Sequence, residues 1–311
     1  MGTGDHQTIA DVLPRVKKYI HVWKTDAQGL VIPRSGGWTW GDWGENKDMI
    51  LLFNLWYVIS LKGYEEMNQL AGEAEEAAWA RTTADKLRKV FHRTFWNGKY
   101  YVSPDYQGKP DDRAQALAVV SGVLPKELYP VIRPFFSTWY HASPYMEKYV
   151  LEALCTMGYY QDALNRMKLR YRVMIESPLT TLWEGWGIGS EGFGGGTYNH
   201  AWSGGPLTIL SQYIAGIETL EPAFRTFRVA PHPAHLNFIR TQVPLSGGRR
   251  IVFEIDKSAH GGTMYLRVPE GTSAQVVLPA EFQRWSVNGE PKNARQLTLV
   301  AGEWHFEMSE K

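Results

Sequence analysis

Two glycine-rich segments bring carboxylates among indole rings and another adds hydrogen-bonding side chains, a combination suited to chemistry on sugars. In Thr180-Thr181-Leu182-Trp183-Glu184, the acid lies between Trp183 and Trp186, just ahead of Gly185, Gly187 and Gly189, where the backbone can approach a ligand closely. Hydrolysis of a glycosidic bond needs a proton donor on the leaving oxygen and a second carboxylate that activates water or attacks the sugar. Flanking indoles partly desolvate Glu184 and tend to raise its pKa towards a range useful for a base. A loop glutamate that pairs with an arginine or caps a helix fits the same local chemistry equally well, so the residues alone leave both roles open.

The second segment, Gly192 to Pro206, offers Asn199 and His200 as donors and acceptors for sugar hydroxyls and Trp202 as a ring to stack on. The third, Gly36 to Asp48, packs Trp38, Trp40 and Trp43 around Asp42, Glu45 and Asp48. Asp48 suits the start of the following helix, where acids are favoured, and Asp42, between indoles, is the stronger site candidate. Aromatic faces stack on the apolar C–H faces of sugar rings. Isolated rings such as Trp79 and Trp96 are better read as core, but clusters in glycine-rich loops lie at surfaces. The candidate site is therefore Glu184 and Asp42 for catalysis, with Trp38, Trp40, Trp43, Glu45, Trp183, Trp186, Asn199, His200 and Trp202 for binding.

Competing chemistries find little support. The histidines are scattered without a His-Glu-x-x-His pair, so no metal site is expected and no cofactor is implied. There is no Gly-x-Ser-x-Gly elbow and no Gly-Lys-Ser or Gly-Lys-Thr phosphate loop. With 33 Lys+Arg against 32 Asp+Glu, the charge balance gives no case for nucleic acid or an acidic membrane as partner. Met49 to Leu61, the densest apolar run, falls short of the roughly 18 residues of a membrane span and reads as a buried helix. The start, Met1 to His6, lacks the features of a secretory signal, which leaves the compartment open: cytoplasmic as written, periplasmic or secreted for a longer parent. The single cysteine, Cys155, sits in an apolar stretch and reads as a buried inert thiol.

The elements that must position these loops come in two blocks. The first is helical, with periodic apolar residues over Ile9–Trp23 (interrupted by Pro14), Lys47–Lys62, Glu65–Trp96, Asp111–Gly122, Pro144–Met157, Tyr160–Met174 and Pro206–Ile217. Pro130 and Pro134 limit Pro125–Trp139 to short turns. Helical hairpins joined by aromatic loops predict an α/α toroid with the site at one end. After Pro222 short alternating runs take over, as in Ile251-Val252-Phe253-Glu254-Ile255, and about eight of them predict a β-sandwich. The fold expected is mainly α with a β domain: an α/α toroid over 1–221 and an antiparallel β-sandwich over 222–311.

In these motifs and their order, the chain resembles the bacterial α-L-rhamnosidases of glycoside hydrolase family 78. The resemblance runs through Gly41-Asp42-Trp43, Thr180-Thr181-Leu182-Trp183-Glu184, Tyr198-Asn199-His200, Tyr213-Ile214-Ala215-Gly216-Ile217 and Leu266-Arg267-Val268-Pro269-Glu270-Gly271-Thr272. It implies an (α/α)6 toroid, partial in this chain, followed by a β-sandwich, and inverting hydrolysis of terminal α-L-rhamnosides without a metal, with Glu184 as the general base and His200 and Trp43 as sugar contacts. The family's acid lies in an Arg-Asp-Glu-Arg-like segment upstream of Gly-Asp-Trp, and the 40 residues before Gly41 hold no such segment. The expectation is a truncated or split member, its activity in isolation left open, that self-associates or pairs with a complementing barrel segment. If it is active, Asp42 or Glu45 becomes the candidate acid, at an inverting separation of roughly 6.5–9.5 Å from Glu184. The alternatives are another (α/α)6 activity, glucoamylase- or trehalase-like, and a non-catalytic carbohydrate-binding remnant.

Overall fold

The computed structural model describes residues 2–36, 39–187, 196–258 and 260–309. The chain divides into two compact units, His6–Gly205 and Met1–Asp5 with Pro206–Lys311.

The first unit is built from helices α1 (His6–Val22), α2 (Met49–Ala71), α3 (Ala74–Phe95), α4 (Asp112–Val120), the short α5 (Tyr129–Ile132), α6 (Pro144–Thr156) and α7 (Tyr160–Ile175). Pro14 lies inside α1 on its exposed side, where the carbonyl that loses its partner can turn to water. α2 is the hub, packing on α1, α3 and α4. Its Leu51, Leu52, Leu55, Val58 and Leu61 are fully buried, each contributing about 1.5–3 kcal/mol relative to exposure. The helix break differs from the expected one: α2 continues through Gly63 and ends at Gly72, which takes a left-handed φ of 80° as its C-cap. Gly72 and Glu73 then donate to the last carbonyls of α2, a closure that a side-chain-bearing residue disfavours. The proline-containing segment between α4 and α6 forms the expected short turns, two 3-10 stretches flanking α5.

In the second unit, α8 (Gly205–Ile209) and a π-helical turn over 210–214 precede strand β1 (Ile217–Thr219), so the helix expected through Ile217 stops short. Gly216 explains the stop: its φ is 71°, and a Cβ there would come within 1.9 Å of Ala230 O. The strands that follow are β2 (Thr226–Val229), β3 (Phe238–Pro244), β4 (Arg250–Lys257), β5 (Gly261–Val277), β6 (Arg284–Val287), β7 (Glu290–Lys292) and β8 (Gln296–Ser309). Two pairs of alternating runs, 264–268 with 274–278 and 296–300 with 304–308, each of which reads as two separate strands in the sequence, are each one long strand, β5 and β8. Along one edge β5 pairs with β8; along the other it pairs with β4 over 262–267 and then, after a register shift between Val268 and Ser273, in parallel with β2 over 273–276. Phe253, Leu266 and Phe306 from one part and Phe227, Ala274 and Val276 from the other share a single core, so the sheet closes on itself as a sandwich. Among the described residues no helix is long and apolar enough to cross a membrane.

Candidate active site

The loop that follows α7 carries Glu184, and it is stitched to itself across the glycine-rich segment. His200 N–H donates to Leu182 O at 2.8 Å, Glu184 N–H to Thr197 O at 2.9 Å, and Trp202 Nε1 to Glu184 O at 3.0 Å. The hydroxyls of Thr181 and Ser203 donate to the carbonyls of Tyr198 and Trp183. Backbone pairing therefore brings two sequence motifs together around one carboxylate. Glu184 Oε2 accepts from Thr197 N at 2.9 Å and lies 3.3 Å from Thr197 Oγ1 and 3.8 Å from His200 Nδ1. The His200 ring packs on Trp202 with centroids 4.3 Å apart.

Glu184 lines a cavity of about 510 Å³ together with Trp43, Glu45, Asn46, Lys109, Tyr140, His141, Arg170 and Trp186. A monosaccharide fits comfortably in such a volume. Trp186 is locked as part of the wall: its Nε1 donates to Ala142 O at 2.8 Å and its ring faces the Arg170 guanidinium at 4.1 Å. Burial pushes the His141 pKa down; the Asp112 charge opposes that shift, and the Arg113, Lys109 and Arg170 charges add to it.

Beneath the loop that precedes α2 lies a buried ionic lattice. Arg113 uses all five of its N–H donors: Nε to Asp111 at 2.7 Å, Nη1 to Asp42 at 3.2 Å and Trp43 O at 3.1 Å, and Nη2 to Glu45 O at 2.7 Å and Asn46 O at 2.8 Å. One guanidinium thus fixes the backbone of residues 43–46. Asp42 is fully buried and accepts from Ser143 N at 2.9 Å, tying the loop to the start of α6. Burial raises its pKa, and the Arg113 charge opposes that rise. Asp48 caps α2 and accepts from Ser103 N and Oγ at 2.8 and 2.9 Å. A second lattice centres on Arg166, which meets Asp112 at 2.8 Å and Glu147 at 2.6 and 2.9 Å.

The comparisons with known proteins bear on this architecture. Residues 1–214 match the bacterial alpha-L-rhamnosidase 6 hairpin glycosidase domain, and residues 216–293 match the bacterial alpha-L-rhamnosidase C-terminal domain. The chain belongs to the bacterial α-L-rhamnosidase family. No curated protein matches its sequence. Among solved structures it is similar to the α-L-rhamnosidase of Dictyoglumus thermophilum, at a TM-score of 0.83 and 20% identity over 99% of this chain and 38% of that one. The Streptomyces avermitilis enzyme complexed with L-rhamnose aligns at 0.79 and 19% over 98% and 31%. The family 78 rhamnosidase of Bacillus sp. GL1 aligns at 0.77 and 26% over 89% and 31%. The chain thus spans about a third of the length of these rhamnosidases.

Of the residues singled out from the sequence, Glu184, Glu45, Trp43 and Trp186 line one cavity. His200 and Trp202 stand beside Glu184, while Asn199 is exposed. Trp40 stacks on Trp202 at 6.2 Å and Trp183 is buried against Tyr198, both away from the cavity lining. Asp42 is likewise absent from the lining and faces Arg113. Trp38 lies outside the described residues. Sequence reasoning passed over Arg113, Lys109, Tyr140, His141 and Arg170. One signal was available for Arg113: a cation in the first turn of a helix opposes the helix dipole, and there it needs an anion from elsewhere.

Proposed function

We propose that the chain carries an α-L-rhamnoside-hydrolysing site in which Glu184 is the general base that activates water for inverting displacement. The observation that supports this most is the Glu184 carboxylate itself, held by Thr197 within 3.8 Å of His200 at the edge of a sugar-sized cavity. Trp43 and Trp186 supply ring faces for the sugar, and His200 hydrogen-bonds its hydroxyls. Glu45 is the second carboxylate among the lining residues and becomes the candidate proton donor. Asp42 is a positioning residue: with its carboxylate buried against Arg113, it shapes the 42–46 loop.

A panel of aryl glycosides tests the substrate. Turnover of the α-L-rhamnoside is expected, and preference for an α-D-glucoside would point instead to a glucoamylase- or trehalase-like activity. A sugar-binding role without turnover is favoured by one observation, the burial of Asp42 away from the cavity. Binding of L-rhamnose with no hydrolysis of the aryl rhamnoside at high protein concentration would establish it. We also propose that the helical unit associates, with a second copy or a complementing segment, through apolar residues left exposed on α7, Leu169, Val173 and Ile175.

A further inference from the structure

We propose that Arg170 is a positioning residue for the Glu184 loop, acting through Trp186, and that the segment 139–143 ahead of α6 is the beam that sets this loop against the one carrying Glu45. The proposal rests on the reading of Glu184 as the base, and it adds what holds that base in register.

Trp186 lies two residues beyond Glu184 and is gripped from three directions. The Arg170 guanidinium carbon stands 4.1 Å from the ring centroid, over its face, and the Tyr171 ring meets it edge-on at 5.0 Å. Its Nε1 donates to Ala142 O at 2.8 Å, and Arg170 Nη2 donates to the same carbonyl at 2.6 Å. Arg170 thus touches both the indole and the oxygen to which the indole is bonded, which fixes the ring in tilt and in reach. Two consecutive residues of α7 supply this grip, so the loop that leaves α7 is fastened back onto the helix it came from. The bonds from Glu184 N to Thr197 O and from Trp202 Nε1 to Glu184 O tie the loop to itself. Trp186 ties it to α7 and to the segment before α6.

That segment is fixed along its length. Trp139 O accepts from Arg166 Nη1 at 2.9 Å, His141 N–H donates to Asp112 at 3.1 Å, and Ser143 N–H donates to Asp42 at 2.9 Å. Asp42 in turn meets Arg113, whose Nη2 holds Glu45 O and Asn46 O. Five residues therefore join the Glu45 loop, through Asp42, to the Glu184 loop, through Ala142 O and Trp186. The spacing of the two carboxylates that line the cavity is set across them.

Charge balance alone does not call for Arg170. Glu147 is already met by Arg166 Nε at 2.6 Å and Nη2 at 2.9 Å, whereas Arg170 Nε lies 3.6 Å from it. Removing Arg170 leaves that buried carboxylate paired, so the loss falls on Trp186 and Ala142 O.

Hydrogen–deuterium exchange of the full chain, followed by mass spectrometry over residues 182–187, reads the loop without needing turnover. Arg170→Gln is expected to speed exchange there about ten-fold, the loss of one charge-assisted hydrogen bond, with α2 and β5 unmoved. Trp186→Ala should do the same, and adding Arg170→Gln to it should change nothing further, because the arginine acts through the ring. If Arg170→Gln unfolds the chain, Arg170→Lys takes its place, since it keeps a charge beside Glu147 but lacks the planar fork that reaches both ring and carbonyl. Exchange over 182–187 unmoved in the Arg170 variant, or effects of the two substitutions that add in full, overturn the proposal. With 4-nitrophenyl α-L-rhamnoside, kcat of Arg170→Gln should fall about 10–100-fold while KM stays within about two-fold. A raised KM with kcat unchanged would make Arg170 a substrate contact and overturn the proposal while leaving Glu184 as the base. If the wild-type chain hydrolyses nothing, the reading of Glu184 as the base falls, and the exchange result alone decides whether Arg170 holds the loop.

Discussion

A carboxylate can act as a base only where solvent or substrate reaches it, and this separates Glu184 from Asp42. Glu184 keeps about a fifth of its side chain accessible (22%), whereas Asp42 keeps none. Replacing Glu184 by Gln is expected to lower hydrolysis about 10²–10⁴-fold with the melting temperature unmoved, because the loop is held by backbone bonds that the amide leaves intact. Asp42→Asn should behave in the opposite way, costing about 3–5 kcal/mol of stability by leaving Arg113 without one of its counter-charges. Parallel assays of thermal unfolding and turnover would show which side chain follows which pattern. Glu184 was legible in the sequence because its tryptophans and glycines are chain neighbours. The environment of Asp42 was not, because Arg113 stands 71 residues away and only folding brings it to the loop. Lys109, His141 and Arg170 stayed hidden for the same reason, since none of them sits in a glycine- or tryptophan-rich context.

At the level of elements, apolar periodicity placed most helices and strands, and the misplaced ends trace to single glycines. Gly63 is exposed within α2, between the buried Leu61 and Tyr64 that pack the helix, while Gly72 ends it; from the sequence the two look equally disruptive. The joining of strand runs into β5 and β8 depends on pairing between distant segments, which alternation within one segment does not encode. The attachment of α1 is also a product of the fold. Glu76 on α3 accepts Lys17 at 2.6 Å, Tyr64 OH at 2.8 Å and lies 3.1 Å from His21, and these contacts, the Lys17 bond first, lower its pKa from 4.5 to about 2. A carboxylate depressed in the folded state contributes stability that is complete above about pH 4.5 and lost as pH falls towards 2. Glu76→Gln is therefore expected to cost about 1 kcal/mol at neutral pH and to flatten the acid limb of a stability profile between those values. Thermal unfolding recorded at intervals across that range would contradict the assignment if the two proteins lost stability in parallel.

For the whole molecule, each unit has its own core, and a mutation in the β unit should act on that core. Phe253→Ala or Phe306→Ala, both at buried positions, should cost about 3–5 kcal/mol, measured by denaturant unfolding. The exposed Leu169 and Ile175, 59% and 77% accessible, predict a mass that rises with concentration in sedimentation experiments, and Ile175→Glu should lower it. A single monomer at all concentrations would contradict that proposal. The account as a whole turns on Glu184 in a rhamnoside-binding cavity. Its most direct test is the rate of hydrolysis of 4-nitrophenyl α-L-rhamnoside by the wild-type chain and by Glu184→Ala, with sodium azide added as an external nucleophile. The account predicts turnover by the wild type, a loss of about 10²–10⁴-fold in the variant, and recovery with azide through a glycosyl azide of inverted configuration. Undiminished hydrolysis by Glu184→Ala, or no hydrolysis by the wild-type chain, would contradict it.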